Sequence, residues 1–141
     1  MPPALLGTGG SGHALGSLLY DIALVALGGM LGAVARYLVS KLVPGTEIPW
    51  GTLIVNVAGS FILSFIAYST LLAGVFSRGE RLLLATGFCG SLTTFSTFAY
   101  ETFELYTEVS PLYALANAAL NLGLGFLAIW AGRALAYTLY R

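Results

Sequence analysis

Polar atoms suited to an ion, and none suited to a covalent reaction, gather in one stretch of this sequence, residues 87–101. Hydroxyls stand at Ser91, Thr93, Thr94, Ser96 and Thr97, glycines at Gly87 and Gly90, and aromatic rings follow at Phe95 and Phe98. Glycine lowers helix propensity by roughly 1 kcal/mol relative to alanine, and serine and threonine can bond back to the backbone and bend a helix, so 90–94 reads as a break. A break frees carbonyl oxygens, which are natural ligands for a hard monovalent cation. Phe95 and Phe98, three residues apart, share one face of the helix that resumes. Their ring edges carry partial positive charge and can meet an anion without trapping it as a lysine or arginine would.

This stretch lies inside an apolar run from about Leu82 to Leu105, with Thr93 and Thr94 near its middle. At that depth in a bilayer an unpaired backbone group costs several kcal/mol, and irregular backbone is tolerated only where it is packed in protein or lines a wet cavity. Composition agrees with a membrane setting: the 141 residues are 57% hydrophobic and only 9% charged. Six basic and six acidic residues cancel, and no basic run points to nucleic acid. No Ser-His-Asp set, phosphate loop or metal-ligand cluster supports catalysis, so the chain does not read as an enzyme. Cys89 has no second cysteine to pair with and reads as a small buried residue, and His13 as a solvated bystander.

The elements that must carry the stretch are four membrane-spanning helices, making an all-α membrane protein whose third helix is broken. The spans run over about 18–43, 50–76, 79–107 and 111–138, each long enough to cross a hydrocarbon core of about 30 Å. Residues 1–17, rich in Gly, Pro and Ala, read as a mobile N-terminal tail. In span one, Gly28, Gly29, Gly32 and Ala33 form small-xxx-small pairs that admit a neighbouring helix. Arg36 reads equally as a snorkelling side chain and as part of an anion vestibule. Asn56, Ser60, Ser64 and Tyr68 recur every four residues along span two. Ser60 and Ser64 read as interhelical glue, whereas the two amide donors of Asn56 suit a pore lining. Tyr113, Asn117, Asn121 and Gly125 repeat the spacing in span four, and two asparagines on one face suit a hydrated path. Glu101 follows Phe98 by three residues; a carboxylate near an anion path must be protonated, paired or set aside, and a structural polar role fits it best.

Three strings in order cover most of the chain: Gly28-Gly29-Met30-Leu31-Gly32-Ala33-Val34-Ala35-Arg36-Tyr37, Trp50 to Phe61, and Gly87-Phe88-Cys89-Gly90-Ser91-Leu92-Thr93-Thr94-Phe95-Ser96-Thr97-Phe98. Together they resemble the CrcB/Fluc family of fluoride channels. The resemblance implies an antiparallel, dual-topology homodimer in the cell membrane, two fluoride pathways, and a structural sodium ion held at the dimer centre by the backbone carbonyls of Gly90 and Thr93 from both chains. It also favours the vestibule role for Arg36 and the pore role for Asn56. The expected pathway set is then Asn56, Phe95, Phe98, Ser96, Thr97, Asn117, Asn121 and Arg36.

Dual insertion requires a weak positive-inside bias. Arg36 and Lys41 lie toward one side and Arg78, Arg81, Arg133 and Arg141 toward the other, a difference small enough to permit it, with a partner paralogue of opposite orientation as the substitute. The alternative is a proton-coupled four-span exporter, for which Glu101 is the only midspan carboxylate candidate. A non-conducting scaffold subunit would account for the glycine pairs but leave the asparagine stripes without purpose.

Overall fold

Each of the four apolar runs becomes a membrane-length crossing. The computed structural model describes residues 9–43, 45 and 47–141, with side chains from Ala14 on. Helix α1 spans Gly9–Leu42 and α2 spans Trp50–Ala73. The third crossing, Arg78–Val109, consists of α3 (78–92) and α4 (95–109), and α5 spans Pro111–Tyr140. Side chains such as Leu18, Leu31, Leu71, Leu115 and Phe126 are exposed, as expected where the solvent is lipid.

Helix α1 begins inside the segment expected to be a tail. Residues 9–17 are helical because extending an existing helix by one residue is far easier than nucleating one, and no proline interrupts them. Residues 1–8 and the side chain of His13 lie outside the described residues. Helix α2 stops at Ala73, before the expected 76, because Gly74 takes a left-handed conformation (φ 62°) and donates its N–H to Thr70 O. The third crossing starts on a capping box: Ser77 accepts from the Glu80 N–H while the Glu80 carboxylate accepts from the Ser77 N–H. Beside it the Arg78 guanidinium pairs with Asp21 of α1, although Arg78 is too exposed for the pair to add much stability.

Helix α2 is the central element, with the largest buried share of the four crossings. It packs chiefly along α5, and the two run parallel in a fixed register. Asn56 meets Asn121, Ser64 meets Ile129 and Tyr68 meets Arg133, always at an offset of 65 residues. At the far end of this seam the Arg133 guanidinium lies over the rings of Tyr68 and Tyr137, at 5.4 and 5.0 Å.

Helix α1 packs on α3 instead. Residues Leu82–Cys89 wind in wide, π-type turns, and Gly28 and Gly32 lie against the Leu83 and Phe88 carbonyls. A Cβ at either glycine would overlap those oxygens, so the small-xxx-small pair fits a backbone rather than a side-chain ridge. This holds α3 in place, and with it the break that follows.

Candidate functional site

Helix α3 ends at Leu92, and α4 starts at Phe95. Between them Thr93 (φ −76°, ψ 155°) and Thr94 (φ −150°, ψ 119°) are extended, while Gly90 remains helical. The cause is a side chain on α2. Asn56 Oδ1 accepts from the Thr94 N–H at 2.8 Å, and Asn56 Nδ2 donates to Thr94 O at 3.2 Å. One amide side chain thus pairs with the Thr94 backbone as a neighbouring strand would, satisfying groups that the bilayer cannot. Thr94 Oγ1 then caps α4 by accepting from the Thr97 N–H at 3.2 Å.

These bonds have a consequence for oxygen. In a continuous helix the Gly90 carbonyl would receive the Thr94 N–H, and the Thr93 carbonyl the Thr97 N–H. Both donors are engaged elsewhere, so both carbonyls lack their helical partners. Gly90 is exposed, and a Cβ built on it meets nothing within 4 Å. Among the described residues no group of three His, Cys, Asp or Glu side chains could hold a metal. The available donors are hard backbone oxygens, a set suited to an alkali cation.

A cavity of about 320 Å³ opens beside the break. Asn56, Gly90, Thr93, Phe95, Phe98 and Asn121, all expected site residues, line it, and so does Ser60. The Phe95 and Phe98 rings are 5.8 Å apart between centroids and inclined at 59°. Phe95 is 77% exposed on this face. A second cavity, of about 270 Å³, holds Arg36, Thr97, Thr52 and Glu101, and Thr94 lines both. Ser96 is exposed, its hydroxyl 3.4 Å from that of Thr94.

Asn117 lies apart from both cavities. It is completely buried and donates to Thr102 Oγ1 at 2.8 Å, and Thr102 in turn donates to Phe98 O at 2.6 Å. Asn121 Nδ2 is 3.1 Å from both Asn117 O and Asn117 Oδ1, and Asn56 Nδ2 donates to Asn121 Oδ1 at 3.0 Å. The three asparagines therefore form one chain of bonds across α2, α5 and α4.

Glu101 accepts from Thr52 Oγ1 at 2.9 Å through Oε1, while its buried Oε2 has no partner among the described residues. It also borders a third cavity, which it shares with Glu47, Glu104 and Glu108. Thr94 belonged to the expected break, whereas Thr52 did not stand out in sequence. Thr52 was within reach, since it stands four residues before Asn56 on the same stripe.

Residues 23–133 match a family model described as CrcB-like protein, Camphor Resistance (CrcB). A relative in Methanopyrus kandleri is 47% identical over 121 residues, covering 85% of this chain and 92% of its own. One in Methanocaldococcus jannaschii is 43% identical over 125 residues, covering 88% and 100%. One in a Sulfurihydrogenibium species is 48% identical over 115 residues, covering 79% and 93%. All three carry the name fluoride-specific ion channel FluC.

Proposed function

The chain belongs to the CrcB-like family, and from that membership we propose that it is a fluoride channel which lets toxic fluoride leave the cytoplasm down its electrochemical gradient. The observation that carries the reading is the midspan cavity, where Phe95 and Phe98 stand beside backbone opened at Thr93 and Thr94. Fluoride enters through the cavity of Arg36, whose charge attracts it and whose hydroxyl at Thr97 begins to replace its water. It continues past Thr94 to the ring edges of Phe95 and Phe98, with Ser96 beside the route. Weak donors in series suit conduction, because no single one holds the ion too long. Asn56, Asn117 and Asn121 serve the path by keeping its walls in place.

The functional unit is an antiparallel homodimer. Charge supports that arrangement: Arg36, Lys41, Glu47, Glu101, Glu104 and Glu108 lie toward one end of the bundle, and Asp21, Glu80, Arg78, Arg81, Arg133 and Arg141 toward the other. The first end is net acidic and the second net basic, so reversing one copy sets unlike ends side by side. Sodium at the dimer centre would be held by the released carbonyls of Gly90 and Thr93 from both chains, supplying a fixed positive charge that pins the two copies together.

The test is efflux from liposomes containing the purified protein, followed with a fluoride electrode. A potassium ionophore carries the counter-charge, and chloride is run in parallel. Fluoride should leave without a proton gradient and chloride should stay. Efflux no faster than from empty liposomes would end the proposal, and efflux that demands a proton gradient would favour a coupled carrier.

A further inference from the structure

The stripe on α2 extends from Thr52 through Asn56, Ser60 and Ser64, and all but one of these side chains is engaged. Thr52 donates to Glu101, Asn56 bonds Thr94 and Asn121, and Ser64 donates to Ile129 O at 2.6 Å. On the cavity wall itself, Thr93 donates to Cys89 O, Thr94 to Thr97 Oγ1, and Asn121 Nδ2 faces two acceptors on Asn117. Ser60 lines the same cavity, and among the described residues its hydroxyl has no hydrogen-bond partner. The residue across the seam is Gly125, whose Cβ, if it had one, would sit 4.0 Å from Ser60 Oγ. Helix α5 therefore offers this hydroxyl no side chain, and the cavity holding Phe95 and Phe98 is left for it.

We infer that Ser60 Oγ–H is a specificity-determining donor that receives the anion beside the two phenyl rings. The inference rests on the fluoride-channel reading and deepens it. The amides lining the path are held by protein acceptors and cannot turn to an ion without opening the break. A free hydroxyl can turn, and it releases the ion as readily. A small, strongly hydrated anion depends more on such a donor than a larger one does, so this hydroxyl favours fluoride over chloride.

Ser60→Ala and Ser60→Thr test this in the full-length protein, beside wild type, with fluoride and chloride efflux and melting temperature measured together. Ser60→Ala should slow fluoride efflux about tenfold, the loss expected for one hydrogen bond to an ion, with chloride leak and melting temperature unchanged. Ser60→Thr, which keeps the hydroxyl, should restore most of the rate. Should Ser60→Ala fail to fold, Gly125→Ser offers a hydroxyl opposite an intact Ser60 and should reduce fluoride efflux more than Gly125→Ala. A wild-type rate in Ser60→Ala, a fall in melting temperature that parallels the lost flux, or equal rates in the two Gly125 variants would overturn the inference. Failure of wild type itself to pass fluoride would instead strike the channel reading.

Discussion

Replacing Asn56 with leucine should close the break in the third crossing, and the size of the effect follows from three bonds. Asn56 accepts from the Thr94 N–H and donates to Thr94 O and to Asn121 Oδ1. Their loss removes about 3 kcal/mol at a typical net contribution of about 1 kcal/mol each. Part is regained, because the Thr94 N–H can return to the Gly90 carbonyl as an ordinary helical bond. The balance favours a continuous helix, with Asn121 Oδ1 left unpaired at a cost of about 1–3 kcal/mol. The two Thr94 bonds lost from the open form and the helical bond gained by the closed one shift the balance by about 3 kcal/mol, which reduces the open population about a hundredfold. Fluoride efflux from liposomes should fall by that order, while the variant still inserts and runs as the wild-type oligomer on size exclusion. Any stabilisation by sodium, read as a shift in melting temperature when sodium replaces a large organic cation, should vanish with it. Wild-type efflux together with an intact sodium shift would refute the claim that Asn56 holds the backbone open.

Phe95→Ile keeps the bulk of the side chain but removes the ring edge, so fluoride efflux should fall at least about tenfold with the oligomer unchanged on size exclusion. Gly32→Val would drive a side chain into the Phe88 carbonyl; α1 should detach from α3, seen as a large loss of folded protein on extraction into mild detergent. Thr52→Val leaves Glu101 Oε1 as bare as Oε2 and should lower stability by about 1–3 kcal/mol, read as a drop in melting temperature. Exchange of sodium for a large organic cation should lower the melting temperature of the wild-type protein, since a ligand bound only to the folded state stabilises it.

The helical faces were legible because their signal is local. Four-residue spacing placed Asn56, Ser60 and Ser64 on one side of α2, and Asn117 and Asn121 on one side of α5. What the amides do there was not legible. Whether an asparagine meets water or another asparagine depends on the 65-residue register between two distant helices, and spacing within either one carries no trace of it. The reading of Ser60 and Ser64 as a matched pair separates for the same reason: Ile129 O stands opposite one and Gly125 opposite the other. The wide turns of Leu82–Cys89 had no local marker either, since they arise where α1 meets carbonyls through glycine rather than from propensity. Backbone composition pointed at residues 90–94, but the extended pair is confined to Thr93 and Thr94, where an outside amide captures an N–H.

The rungs between α2 and α5 differ chemically from one another: amide on amide, hydroxyl on glycine, hydroxyl on carbonyl, ring on guanidinium. Sliding one helix along the other by a single turn would set Tyr68 against Ile129 and leave Arg133 with only the Tyr137 ring of its own helix. Misaligned docking of the fourth crossing on the second is thus penalised at every rung, after the third crossing has already been made. Selection on these positions then answers to biogenesis as well as to permeation.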